Sequence, residues 1–252
     1  MSLILTLVAI TIVSLISLVG AIPIAFHLRY NHIVLWYLIS LACGAQLGEV
    51  FLHLLPEIGK NGLSMKSSAI ILLGILLFFV LEKFLHFHHD SHSSSAEHHH
   101  HEHTSRLTPQ LIIIGDGVHN ILDGILIASS FLISAPLGWA TTFAVIAHEV
   151  PHELGDFSVL LKSGWSVQKA MLWNLVSALT AFIGAGIVFV AAPFVSNIET
   201  YGLLLATSSF LYISLSDLIP ELNTQKDKQI YAISTLMVFA GIALMYVLKL
   251  VE

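Results

Sequence analysis

The chain is 252 residues long, 56 % of them hydrophobic and only 10 % charged, where a soluble domain carries about 25 % charged residues. With a mean hydropathy of +0.86, this excludes a water-soluble globular fold and puts most of the chain in lipid. Lys and Arg total 10 and gather into no basic patch, which excludes a nucleic-acid binder; the single cysteine, Cys43, excludes an internal disulfide and a multi-cysteine zinc site. The formal charge of −6 says little about partners, because many of the acids lie inside apolar segments.

Runs of about 20 apolar residues mark helices that cross a bilayer. The first, 3–22, has no basic start, where a signal peptide usually shows a positive start and a small-residue cleavage site, so it reads as a retained span, with a cleaved signal as the alternative. Further spans follow at 34–55, 68–87, 108–132, 138–162, 169–191, 200–220 and 229–249, joined by short links such as Arg29–His32, Pro56–Met65, Ser134–Gly138 and Asn223–Lys228. The expected fold is an all-α integral membrane protein: one transmembrane domain over 1–252, eight helices in a bundle within the lipid bilayer. No sequence repeat is obvious. With the N-terminus outside, Arg29, Lys83, Arg106, Lys162, Lys169, Lys226 and Lys228 fall in inside links, and Lys60, Lys66 and Lys249 fall outside. The positive-inside rule then places both termini outside and the link between the third and fourth spans in the cytosol.

That link holds His88, His89, His92, His98, His99, His100, His101 and His103 among Ser, Glu and Asp. Such a tract, 87–107, cannot bury a core and is expected to be disordered. Purification tags are terminal and this tract is internal; between a solvated spacer without a role and a weak, multi-site trap for metal, its imidazoles favour the trap.

The fourth and fifth spans carry ionisable groups where hydrocarbon penalises them by about 2.5–3.5 kcal/mol each on insertion scales. On the fourth, His119 and Asp123 are four apart and share a helix face; Asp116 and Asn120 lie on an adjoining line. On the fifth, His148 and His152 are four apart, as are Glu149 and Glu153, and Asp156 lies four beyond His152. A short link makes the two helices antiparallel neighbours, so His119, Asp123, His148 and His152 can meet near mid-span, with Asn120 and Glu149 lining an adjacent position. His, Asp, Glu and Asn are the ligand set of a divalent metal such as zinc. Pro151 removes one helix hydrogen bond and frees the carbonyl of Ala147, which is tolerated where water or protein satisfies it. A lone intramembrane histidine is readily a packing residue, but that explanation does not stretch to two whole motifs. Other spans offer Glu49 with His53, Asn174, and Asp217 with Glu221, each either functional or a helix-packing group.

The segments HNILDG (119–124) and HEVPHELGDF (148–157) resemble the ZIP family of zinc and iron transporters, and more narrowly the branch with the signature HExPHExGD. Many ZIP members have Pro-Glu where this chain has Leu122-Asp123; Asp is characteristic of that branch. The resemblance spans essentially the whole chain and implies eight spans with a cytosolic His-rich link. It also implies a two-metal transport site between spans four and five: His119, Asp123, His148, Glu149 and His152 around the first metal, and Asn120, Glu149, His152 and Asn174 around the second. Glu49 and His53 match entrance-side positions, and Asp156 matches the final acid of the signature without an assigned ligand role. The implied cargo is chiefly Zn2+, with Fe2+, Mn2+ and Cd2+ in some members, moved into the cytosol across a plasma or organelle membrane. The large extracellular domain of many animal members is not present in this sequence, so regulation by one is not expected. Oligomeric state stays open, with room for a homodimer.

Two rival functions share these residues. His148-Glu149-Val150-Pro151-His152 is also an HExxH zinc-protease motif, and Leu122-Asp123-Gly124 spells the LDG that supplies a third ligand in intramembrane proteases. Against this, LDG precedes HExxH here, His119 and Asn120 have no protease role, and a catalytic zinc needs three protein ligands and an open position. A metal-sensing receptor would bind metal and pass none. The favoured reading is a transporter and not an enzyme.

Overall fold

A computed structural model describes residues 1–16, 18, 32–60, 62–90 and 109–251. Among these, every regular element is helical: α1 (Ser2–Ile16), α2 (His32–Gly48), α3 (Leu55–Gly59), α4 (Met65–Asp90), α5 (Pro109–Ile133), α6 (Ala135–Lys162), α7 (Val167–Ala178), α8 (Ala181–Ala191), α9 (Ile198–Ile213), α10 (Ile219–Asn223) and α11 (Lys228–Val251). Among the described residues, six stretches are long and apolar enough to cross a bilayer: Trp36–Gly59, Met65–Lys83, Ile112–Ile133, Val167–Ala191, Ile198–Asn223 and Lys228–Leu250. Helix α1 is shorter, at 15 residues. Helix α6 has 28 residues, about 42 Å at 1.5 Å each, but its acids interrupt the apolar run.

Several boundaries differ from the sequence reading. Helix α4 runs on to Asp90, so His88 and His89 stand on helical backbone; the remainder of the His-rich tract, from residue 91, lies outside the described residues, as does most of 17–31. The expected link after Pro56 begins only beyond Gly59. The link between α5 and α6 shrinks to Ser134, whose hydroxyl oxygen accepts the Leu137 N–H at 3.2 Å and caps α6. The expected span 169–191 is two helices, α7 and α8, joined by a turn at Leu179–Thr180.

The second and seventh expected spans share a device. In each, a π-helical turn (Glu49–Leu54, Ser214–Leu218) leads into a short helix with proline in its first turn (Pro56, Pro220). The Leu55 and Ile219 N–H groups reach back five residues, to the carbonyls of Val50 and Ser214. The wider π turn absorbs the mismatch that a proline imposes on the i−4 ladder.

Tight crossings set the frame. At Gly124 a Cβ would strike the Ala181 carbonyl oxygen, and at Gly184 one would strike that of Ile121, so α5 and α8 touch backbone to backbone. Lipid supplies little drive for helix association, so close approach at small residues holds such seams. The Thr180 hydroxyl lies 2.6 Å from the carbonyls of Gly117 and Ser177, tying the α7–α8 turn to the motif stretch of α5. The Ser14 hydroxyl donates to the Ala178 carbonyl at 3.1 Å and adds α1 to the same group.

Candidate metal centre

The one-residue link holds α5 and α6 antiparallel, and their polar faces meet. His119, Asp123, His148 and Glu149 each offer one ligand atom, all within 4.8 Å of one another. His119 Nε2 lies 3.2 Å from His148 Nε2 and 3.3 Å from Glu149 Oε1. His148 Nε2 lies 3.2 Å from Glu149 Oε1 and 3.3 Å from Asp123 Oδ2, and the His119–Asp123 separation is 3.7 Å. Metal–ligand bonds of about 2.0–2.1 Å at tetrahedral angles put ligand atoms about 3.3–3.4 Å apart. Four of the six separations match that spacing, the His119–Asp123 separation is slightly longer at 3.7 Å, and Asp123 and Glu149 lie within 4.8 Å, so the side chains outline a four-cornered group close to zinc size.

Tautomer strengthens this. His148 Nδ1 sits 3.0 Å from the Ala144 carbonyl, which can only accept, so Nδ1 is the donor. In the neutral ring Nε2 then presents its lone pair to the cluster, the usual way in which a protein aims a histidine at a metal. Phe210 of α9 stands edge-on to His148, ring centroids 5.3 Å apart, and covers that side.

A second group lies one turn away. Asp116, Glu149 and Glu153 bring three buried carboxylates together, and Glu149 belongs to both groups. Asn120 Nδ2 donates to Asp116 Oδ1 at 2.9 Å, and Asn174 Nδ2, from α7, donates to Glu153 Oε2 at 2.7 Å. Asp116 Oδ2, Asn120 Oδ1, Glu153 Oε1 and Asn174 Oδ1 are buried with no hydrogen-bond partner. All four are acceptors, which is what a cation would satisfy. Among the described residues no Lys or Arg pairs with Asp116, Asp123, Glu149, Glu153 or Asp156; the ionic neighbours they have are histidines. Buried carboxylates in such number need positive charge brought to them.

The sequence-derived candidates divide accordingly. His119, Asp123, His148 and Glu149 come together, with Asn120 and Asn174 beside them. His152 does not join the four: its ring stacks on His119 at 5.2 Å, and its Nδ1 faces Asp116 and Asp156. The two histidines of HExxH therefore serve different groups, whereas a zinc protease needs both on one ion. Glu49 and His53 are fully buried and stand apart from these groups. Glu49 Oε1 accepts from Thr141 at 2.6 Å, and Thr141 lies 3.1 Å from Ser130 Oγ. Thr141 precedes His148, and Ser130 follows Asp123, by seven residues, about 10 Å along each helix. His53 donates to the Met245 carbonyl at 2.9 Å. Asp116 and Glu153, which the structure brings beside Glu149, are among the acids that sequence reasoning left without a ligand role; their four-residue spacing from Asn120 and Glu149 was the available signal.

The family model for ZIP zinc transporters matches residues 2–110 and 88–249. The chain belongs to this family. It is 34 % identical over 241 residues to zinc transporter ZIP13 of Pongo abelii, covering 90 % of this chain and 68 % of that protein. Zinc transporter ZIP4 of Mus musculus is 46 % identical over 124 residues, 49 % of this chain and 19 % of that protein. Zinc transporter ZIP10 of Mus musculus is 42 % identical over 112 residues, 44 % of this chain and 13 % of that protein. The chain spans about a fifth of the length of the mouse ZIP4 relative. This ZIP family member is a multi-pass membrane protein, and the relatives it matches are named as transporters.

Proposed function

We propose that this protein carries divalent metal, chiefly Zn2+, across its membrane into the cytosol through the paired groups on α5 and α6. The zinc-sized tetrahedron of His119, Asp123, His148 and Glu149 carries the reading. The first ion would sit there, and a second would sit among Asn120, Glu149 and Asn174 together with Asp116 and Glu153. Sharing Glu149 lets an ion pass between positions without losing its ligands. Nitrogen and oxygen ligands bind zinc reversibly, whereas a cage of thiolates would hold it. Fe2+, Mn2+ and Cd2+ accept overlapping ligand sets. Eight spans with both termini outside fit the loop charges, and Glu49 with His53 would stand on the entrance side, toward Ser134. A homodimer is compatible with this arrangement.

Zinc uptake into proteoliposomes tests it. Wild type should accumulate zinc, and His119→Ala, inserted equally well, should nearly abolish uptake. Normal uptake by that variant would overturn the site, and cleavage of a membrane substrate without uptake would favour the protease.

A further inference from the structure

At the end of the bundle that carries Ser134, α3 and the first turns of α4 and α9 enclose a cavity of about 490 Å³, within the range of small-ligand sites, about 300–1,000 Å³. Ile133 of α5 reaches its wall, and among the described residues none of α6 does, so it stands beside the metal centre and not on it. Four charged side chains line it: Glu57, Lys60, Lys66 and Glu199. Two of them cancel, because Lys60 Nζ lies 2.6 Å from Glu57 Oε2. The other two do not. Lys66 Nζ donates to the Tyr201 hydroxyl at 3.0 Å and stands 5.4 Å from the centre of that ring. Among the described residues no carboxylate pairs with Lys66 and no cation pairs with Glu199. The cavity therefore presents one uncommitted positive charge and one uncommitted negative charge, beside the apolar side chains of Ile70, Leu203 and Leu204.

The positive charge is reinforced. Helix α4 begins here, with Ser64 Oγ accepting the Ser67 N–H at 3.1 Å, and so does α9, whose Asn197 makes no side-chain cap. The positive ends of both helices add to Lys66 in attracting an anion. An ammonium has three donors, so Lys66 keeps two after bonding Tyr201. A matching ligand carries an anionic group, a primary ammonium and an apolar part. Beyond the cavity, α4 offers a surface for that part: Leu72, Leu73 and Leu76 are exposed, and Leu73 stands about one turn on from Ile70. Lysine and tyrosine side chains at the end of a span lie at the level of the lipid headgroups.

We propose that this cavity binds the headgroup of a phosphatidylethanolamine lipid. The phosphate sits on Lys66 and the Ser64 and Ser67 hydroxyls, the ammonium on Glu199, and the acyl chains lie along α4. Charge complementarity selects the class. Phosphatidylglycerol brings the phosphate without an ammonium, and phosphatidylcholine brings a quaternary ammonium that has no hydrogen bond to donate. The site is independent of the transport reading.

Native mass spectrometry of the full-length protein, stripped of lipid in detergent, tests this by titration with phosphatidylethanolamine, phosphatidylcholine and phosphatidylglycerol of matched chains. One phosphatidylethanolamine per chain should bind about tenfold tighter than either of the others, the worth of one hydrogen bond between charged groups. E199Q should lose that preference. K66A should weaken all three lipids by about tenfold. Both variants should bind zinc as wild type does, which reports an intact bundle. Equal binding of the three lipids by wild type, or a preference that survives in E199Q, would overturn the site. Soluble glycerophosphoethanolamine separates the two sources of the headgroup: it should not displace the lipid at equal concentration, and displacement would assign the cavity to a free solute and overturn the lipid.

Discussion

Asp123→Ala separates a direct ligand from a supporting one. Asp123 Oδ2 is one vertex of the tetrahedron, 3.3 Å from His148 Nε2, on a buried residue. Its removal leaves His119, His148 and Glu149, with space for a water to complete the coordination. Losing a group that merely orients a ligand costs about 10–100-fold in metal affinity, so losing the ligand should cost at least the upper end, about 100-fold or 2.7 kcal/mol. Asn174→Ala is the comparison. Asn174 touches the acidic ladder through a 2.7 Å hydrogen bond to Glu153, and such a bond to a charged group contributes about 1.5–3 kcal/mol. Its effect belongs to the second position and should leave the tetrahedral site at wild-type strength. Competition between purified protein and a chelating dye measures the tightest zinc, and initial uptake rates follow in proteoliposomes. An Asp123→Ala protein that binds zinc as tightly as wild type would refute the tetrahedral assignment, whatever its uptake.

Three further expectations follow from the same geometry. Thr141→Val keeps the volume but removes the donor to Glu49, costing about 1.5–3 kcal/mol of stability; thermal unfolding in detergent should register this while zinc affinity at the tetrahedral site stays constant, and an unchanged unfolding temperature would mean that the Thr141–Glu49 bond is absent. Imidazole must be neutral to ligate, so calorimetric zinc affinity should fall as the buffer is acidified through the ordinary imidazole range near about 6.5, and a flat profile would argue against histidine ligands. Deleting residues 88–103 should leave substantial uptake with an altered response to cytosolic zinc; complete loss would place the His-rich tract in the conduction path.

The tetrahedral group was legible because two regularities coincide. His119 with Asp123 is an i, i+4 pair on a face that lipid would not tolerate, and a short link to α6 forces that face onto His148 and Glu149. The position of His152 was not legible. An i, i+4 pair can close on one ion, as the HExxH pattern suggests, or present its members to two, because the second sits about 6 Å farther along the axis. In the structure His152 Nδ1 stands 3.8 Å from both Asp116 and Asp156, apart from the other four side chains. The partner of Glu49 was equally hidden, since nothing in local sequence says which helix will bring a threonine to it. The π turns were half visible: His53-Leu54-Leu55-Pro56-Glu57 and Asp217-Leu218-Ile219-Pro220-Glu221 repeat the same polar–apolar–proline pattern. A pattern five residues long is too short to be read as a repeat until both copies are found to open the same turn.

Glu153 and Asn174 show why the acids and the fold depend on each other. A carboxylate buried among other carboxylates is unstable unless something positive arrives, and the described residues place no Lys or Arg there. A fixed cation from the protein would neutralise the site permanently and compete with the cargo. Amide donors hold the carboxylates in place without cancelling their charge: Asn174 secures one oxygen of Glu153 and Asn120 one oxygen of Asp116, and each leaves the other oxygen bare. The tight α5–α8 seam and the Thr180 contact to Gly117 then keep α7, and with it Asn174, in register with α5. On the proposed function, a bundle held together in this way can carry a surplus of negative charge inside a membrane because the missing positive charge would be the transported ion.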